Sequence, residues 1–371
     1  MTLSTMHLGD LTKIRTGKLD ANASSENGKY PFFTCAGQPL RIDSFSYDCE
    51  CVLVAGNGDL NVKYYEGKFD AYQRTYIVEA RPESKGDLDL RYVYHFLENY
   101  LETLREQSVG GIIKYIKLGN LAEAPIPLPP LAEQKRIAGI LDAADALRAK
   151  RREALAQLDT LLQSTFLDMF GDPVTNPMGW EKPSLEELCE KVIDCPHSTP
   201  RWSESGVICL RTSNLGKGEW IWDDTRFVTE KDYKERTKRS EILPNDIILS
   251  REGTVGVLAL VADGMRLCMG QRLVQLRVIE SKLHPKFLLH LLLHDLAPER
   301  LSRLMAGSTS KHLNVRELRK LPVFRPPLDL QHRFAAIVES IEQQKANQRA
   351  HLAELDTLFA SLQSRAFRGE L

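Results

Sequence analysis

The sequence predicts a duplicated α/β (α+β) chain. Two globular domains alternate with two long helices, which pair as an antiparallel, coiled-coil-like couple about a pseudo-twofold axis. Three observations predict it. First, PLPPLAEQKRIAGIL at residues 127–141 returns as RPPLDLQHRFAAIV at 325–338, with Pro129, Pro130 and Gln134 facing Pro326, Pro327 and Gln331 at a constant offset of 197. Second, each proline pair opens a long run with almost no helix breakers. Third, short strand-like and amphipathic stretches precede each pair in the same order. A repeat this long indicates duplicated domains rather than a solenoid of short units.

The first globular part covers residues 1–125. CVLVAGNG from Cys51 reads as a strand and a turn, RTYIVEA from Arg74 as an alternating strand, and the stretch from Asp89 to Gln107 as an amphipathic helix. Residues 126–171 form the first helical region. Ile137, Ile140, Ala144, Leu147, Ala154, Leu158 and Leu161 follow a 3–4 spacing, with Arg151 interrupting. Forty helical residues span about 60 Å at 1.5 Å each. GDPVTNP from Gly171 stops the helix with a glycine and two prolines. The second globular part, 172–322, repeats the pattern: DIILSREG from Asp246, RLVQLRV from Arg272 and a helix from His284. Residues 323–371 form the second helical region, with Ile337, Ile341, Leu352, Leu355, Phe359 and Leu362 on one side and a polar middle. Two helices with apolar stripes are expected to bury them against each other.

Apolar content of 43% and charged content of 27% are those of an ordinary globular protein. No run reaches the roughly 18 apolar residues of a membrane span, and the first ten residues lack a secretory pattern, so a cytoplasmic, membrane-free protein is expected. Seven scattered cysteines suggest free thiols. Cys189, Cys195 and His197 fit no finger or ribbon spacing, so no metal is expected. Net charge is −1, and residues 1–125 hold 14 basic against 17 acidic side chains while 172–322 hold 23 against 21. If DNA binds here, local patches must hold it, or a partner must supply much of the phosphate attraction.

Motifs for chemistry are missing. No Walker A or dinucleotide fingerprint is present, and Asp59, Glu66 and Lys68, a faint nuclease-like spacing, read better as a hairpin. No nucleophile–base constellation stands out, so the chain is expected to be non-catalytic. What recurs is polar loops. In the first copy they carry Lys18, Asn22, Asn57, Gln73, Arg74 and Lys114. In the second they carry Arg201, Arg211, Asn214, Arg251, Thr254, Gln271, Arg272 and Lys311. Arg and Lys suit guanine edges, Asn and Gln adenine edges, and hydroxyls and amides phosphates. Arg251, just after an apolar strand, is expected to project outward. Arg148, Arg151 and Arg152 interrupt the first helical stripe, and Arg349 does so in the second. They are candidates for a partner interface, with a solvated face as the alternative.

The proline-pair entrance, the LDTLLQSTFLDMFGDP exit and the degenerate second copy resemble specificity subunits of type I restriction–modification systems, and the resemblance covers essentially the whole chain. The second copy departs from the entrance motif at Asp329-Leu330, where Ala132-Glu133 stands in the first. The resemblance implies a non-catalytic subunit whose two target-recognition domains each read half of a split, asymmetric double-stranded DNA site in the major groove. The helices set the spacer and dock two methyltransferase subunits, and restriction subunits join the same core. S-adenosylmethionine, ATP and Mg are expected on those partners, and no cofactor on this chain. The alternatives are a specificity subunit of a methyltransferase-only or phage-defence system, a stand-alone nuclease or methyltransferase, and a structural scaffold.

Overall fold

The structure, a computed structural model, describes residues 4–295 and 313–371. Packing groups the chain into two units, residues 1–154 with 348–371 and residues 155–347. The divisions fall inside the two long helices, so each unit holds one globular part and a half of each helix.

In the first unit β1 (Thr5–His7), α1 (Leu8–Leu11), β2 (Thr12–Thr16), β3 (Tyr30–Phe33), β4 (Leu40–Ile42), β5 (Tyr47–Ala55), β6 (Val62–Ala71) and β7 (Thr75–Ala80) precede α2 (Leu90–Asn99), α3 (Leu101–Glu106), α4 (Leu118–Ala122), β8 (Pro125–Pro127) and α5 (Leu131–Phe170). The sheet runs β2-β7-β5-β6-β3-β4. All its pairings are antiparallel except β3 with β6. Cys51, Val52, Leu53 and Val54 of β5 are buried on both faces, which explains why this strand reads as a continuous apolar run. β1 pairs with β8, tying the chain start to the segment just before α5.

The second unit repeats this topology through α6 (Leu185–Leu188), β9 (Cys189–Asp194), β10 (Val207–Leu210), β11 (Phe227–Val228), α7 (Glu230–Arg236), β12 (Ile247–Ser250), β13 (Leu258–Leu260), β14 (Leu267–Met269), β15 (Leu273–Val278), α8 (Pro285–Asp295), α9 (Val315–Arg319) and α10 (Leu328–Arg368). Its strands lie in two sheets, β13-β12-β15-β9 and β11-β10-β14. Set end to end, that is the order of the first unit with the strand equivalent to β6 broken into β13 and β14. A turn carrying Gly264 at φ +78° makes the break. The parallel pairing survives as β10 with β14.

The repeated glutamine explains the repeated helix entrance. Gln134 is fully buried. Its Nε2 donates to the carbonyls of Asp87 and Pro129, each at 2.8 Å, while its Oε1 accepts the Asp89 backbone N–H at 2.9 Å. Gln331, equally buried, donates to Pro326 O at 2.8 Å and accepts from His284 N at 2.8 Å. Each amide thus fastens the first turn of a long helix to the start of the globular part's own helix, α2 or α8. Farther along, Arg91 pairs with Asp142, and Lys286 with Glu339 at the equivalent place.

Within each unit the halves of α5 and α10 run antiparallel. In the first, Arg136 donates to Leu371 O at 2.8 Å, Arg148 to Asp356 at 2.6 Å and Arg151 to Gln348 at 3.0 Å. Residues 151 and 348 are separated by 197 positions, so equivalent positions of the repeat touch. In the second, Lys345 pairs with Asp159 at 2.9 Å, and Phe334 meets the rings of Phe166 and Phe170 at 5.5 and 5.4 Å. The apolar stripes also face their globular parts: Ile137, Leu141 and Phe359 join the core of β5, β7 and α2, and Phe166, Phe334 and Val338 join that of β12, β15 and α8. Three positions of the expected stripe, Leu147, Leu161 and Ile337, are exposed instead.

The arginines of the first helical stripe have partners within the chain. Arg148 is paired with Asp356 and Asp145 and lies over the Phe359 ring at 4.3 Å, and Arg152 shares Asp356 at 3.3 Å. With Arg151 on Gln348, these side chains also join the two helices, so reversing their charge disturbs the helix pair as well as any surface they offer a partner. Arg349 is exposed on α10.

Two outcomes follow for stability. Gln134→Leu leaves a buried N–H and two carbonyls without their amide partner, and chemical denaturation should show a loss of about 1–3 kcal/mol or more; an unchanged midpoint would remove the clamp from the account. His290, against Phe334, is driven down to about 4 by burial, with His294, Lys345 and Lys286 adding to the effect. Its unfolded value is about 6.5, so between the two the unfolded chain binds more protons, and stability falls as pH drops through that window. Replacing it in His290→Leu should flatten that acid limb in thermal melts at stepped pH, and an unchanged slope would exonerate this ring.

Candidate nucleic-acid interface

Loops at the strand ends of the first unit converge. Gly17 N donates to Thr75 O at 3.0 Å, Gln73 N to Leu19 O at 2.9 Å and Gly56 N to Arg74 O at 2.8 Å. Ile116 N donates to Gly56 O at 2.9 Å and Gly58 N to Lys114 O at 3.0 Å. These bonds bring Lys18, Asn57, Gln73, Arg74 and Lys114 into one loop cluster. Glycine is required at 56, since a Cβ there would stand 2.4 Å from Arg74 O. Lys18, Gln73, Arg74 and Lys114 are exposed and Asn57 half-buried. Asn22 lies beyond Lys18, exposed on the turn Ala21–Ala23.

The second unit uses the same wiring. Cys195 N donates to Leu273 O at 3.0 Å, Arg251 N to Arg272 O at 3.0 Å and Leu313 N to Arg251 O at 2.7 Å. These match the bonds 17→75, 56→74 and 116→56 of the first copy, with Arg251 standing where the first copy has Gly56. Gln271 Nε2 reaches back to His197 O at 2.7 Å, and Arg272 takes a left-handed φ of +66°.

The side chains of the two clusters differ. Lys18, Arg74 and Lys114 make no ion pair among the described residues. In the second cluster Arg201 pairs with Asp232, Arg211 with Asp224, Arg251 with Asp194 and Arg272 with Glu252. The Arg201 and Arg211 guanidinium groups hold the carboxyls of Asp232 and Asp224 below the usual range. Two expectations are corrected here. Arg251 does not project outward: its side chain is 14% exposed, with Nε 3.1 Å from Asp194. Asn214 is fully buried, its Oδ1 accepting from Arg211 N at 2.9 Å and its Nδ2 donating to Ile221 O at 3.1 Å, so it shapes a turn and cannot meet a base. Arg201 stays largely exposed beside Asp232, and Arg211 is half-buried beside Asp224. Thr254 is exposed and Gln271 half-buried, and Lys311 lies outside the described residues.

The arrangement offers donors and acceptors to a polyanion. Among the described residues no group of His, Cys, Asp and Glu could hold a metal ion. Burial pushes the Cys189 thiol up to about 12, and His197 is engaged with Asp194 at 3.3 Å. Of the nuclease-like trio, Lys68 lies over Phe45 at 4.7 Å and Asp59 faces Arg105 at 3.9 Å. Sequence reasoning missed Asp194, which decides the fate of Arg251 but lies far from it in the chain. It also missed the exposed Ile112 and Ile113, although the Gly110-Gly111 ahead of them marks a tight turn.

A family model described as the type I restriction modification DNA specificity domain matches residues 2–157 and 177–357. Among curated proteins, the specificity subunit of the type I restriction enzyme EcoDI from Escherichia coli is 30% identical over 405 residues, covering 99% of this chain and 88% of that protein. The MjaVIII specificity subunit of Methanocaldococcus jannaschii is 24% identical, covering 91% and 85%. Among solved structures, the S subunit of a type I restriction-modification system from M. genitalium has a TM-score of 0.63 at 17% identity, covering 99% of this chain and 96% of that one. At that identity the likeness concerns the fold.

The two clusters should answer mutation differently. Arg74→Ala should leave the denaturation midpoint unchanged and weaken binding to cognate duplex DNA by about 1–3 kcal/mol if the guanidinium contacts a base. Arg251→Ala should lower the midpoint, because it strands the Asp194 carboxylate. The reverse pattern, a stability loss at Arg74 and none at Arg251, would invalidate the assignment.

Proposed function

The chain belongs to the type I restriction modification DNA specificity family, and within that family we propose how its two units share the reading of one target. It is the DNA-recognition subunit of a multisubunit restriction–modification enzyme and performs no chemistry itself. Its target is bipartite, and each globular part reads one half. The observation that carries this reading is the shared wiring of the loops. The same backbone hydrogen bonds place a loop cluster in each copy, while the side chains on them differ, Gly56 against Arg251 and bare Lys18 and Arg74 against paired Arg201 and Arg211. Two readers of one design with unlike side chains suit an asymmetric target.

The partners are duplex DNA and the other subunits of the complex. Two methyltransferase subunits dock on the helical regions, and restriction subunits join them. S-adenosylmethionine, ATP and Mg act on those subunits, which supply the methyl transfer and the cleavage, and this chain binds no cofactor. No helix among the described residues is long and apolar enough to cross a membrane. The complex works in the cytoplasm, where its DNA is.

The long helices act as the ruler between half-sites. Both must be lengthened together, because each unit holds a paired segment of both. Four residues inserted after Ala149 and four after Ala346 add about 6 Å at 1.5 Å per residue. DNA rises 3.4 Å per base pair of each strand, so the unspecified spacer should grow by about one or two pairs. Methylation mapping of cells carrying the variant should show both half-sites kept and only the spacer lengthened. An unchanged spacer with full methylation, or altered half-site bases, would take the ruler away from the helices.

A further inference from the structure

The segment from Val109 to Tyr115 is a narrow loop tip closed at its base by one bridge. Val109 and Tyr115 exchange backbone hydrogen bonds of 2.9 and 2.8 Å. Gly110 turns the chain at φ +121°, where a Cβ would stand 2.6 Å from Ile113 O. Its base is locked to the reading loops through the Asn57–Tyr115 bridge and the bond from Gly58 N to Lys114 O. At the end, Ile112 is 105% exposed and Ile113 64%. Neither side chain belongs to the core clusters of the first unit, so both are open to a bound partner.

The surroundings say what covers them. The exposed cations Lys18, Arg74, Lys114 and Lys117 stand on these loops against the exposed carboxylates of Asp20 and Asp59, an excess that suits a phosphate backbone. A protein partner needs about 800 Å² of surface from each side, far more than two side chains between glycines and lysines provide. A narrow loop tip closed by a single bridge, by contrast, fits a major groove about 12 Å wide, and the one apolar group that the four bases present there is the 5-methyl of thymine.

We propose that Ile112 reads a thymine methyl group in the half-site bound by the first unit. The tip enters the major groove, the lysines beside it meet phosphates, and the side chain covers the methyl. The proposal rests on the DNA-reading function above and names a base that function leaves open.

The test uses the assembled complex and its mapped target, with deoxyuridine replacing thymine one position at a time, which removes the methyl and nothing else. At one thymine of one half-site, wild-type affinity should drop about fourfold, the value of one buried carbon group. Ile112→Ala should bind the thymine and deoxyuridine sites equally, and Ile112→Val should keep the discrimination. The proposal is overturned if no thymine responds, or if Ile112→Ala still discriminates at the responding position. It is also overturned if Ile112→Ala loses partner subunits while its methyl discrimination stays intact, which would make the tip a protein-docking element. Failure of the wild-type complex to prefer its mapped target would instead remove the DNA-reading function itself.

Discussion

The buried amides of Gln134 and Gln331 set where each long helix leaves its globular part. An amide has two donors and one strong acceptor, and here the carbonyls of Asp87 and Pro129 and the N–H of Asp89 use them all around Gln134. The prolines ahead of it cannot donate and have a restricted φ, so the chain enters the helix along one direction. With the entrance fixed, the next turns of α5 present Ile137 and Leu141 to the core of the first unit, and those of α10 present Phe334 and Val338 to the core of the second. A helix leaving at another angle would lose these contacts together. That is why the entrance repeats more faithfully than the globular parts it serves.

The polar middle of the helix pair follows from the same geometry. Away from the globular cores the helices meet each other. There Arg148, Arg151 and Lys345 reach Asp356, Gln348 and Asp159. Lys345 is buried and Arg148 mostly so, and each meets a carboxylate of the other helix in this pairing, so these contacts favour one register. A continuous apolar seam would be less selective.

The loop clusters separate position from identity. Their placement depends on backbone donors and acceptors, which every residue except proline carries in full. Side chains are therefore free to change while the loops stay in place, and the two copies have diverged in this way. Where the first copy keeps Gly56 so that Arg74 can approach, the second places Arg251 and balances it with Asp194. The first cluster presents unpaired cations to solvent; the second holds its arginines in a lattice of carboxylates, which favours fixed geometry over free charge.

The duplication, both long helices with Phe170 and Arg368 near their ends, and the helix entrances were legible in the sequence, because periodicity, proline pairs and the 197-residue offset are local or self-comparing signals. The loops that carry the candidate interface were legible as segments, through their glycines and polar residues. What each side chain does was not. Asn214 and Arg251 look like readers in sequence, yet one is buried in its own turn and the other is held by Asp194. Arg148 and Arg151 look like a surface patch, yet they meet Asp356 and Gln348 from the far end of the chain. A side chain's polarity is written at its own position, but whether it is free depends on partners brought up by folding from distant positions, and only the tertiary structure decides that.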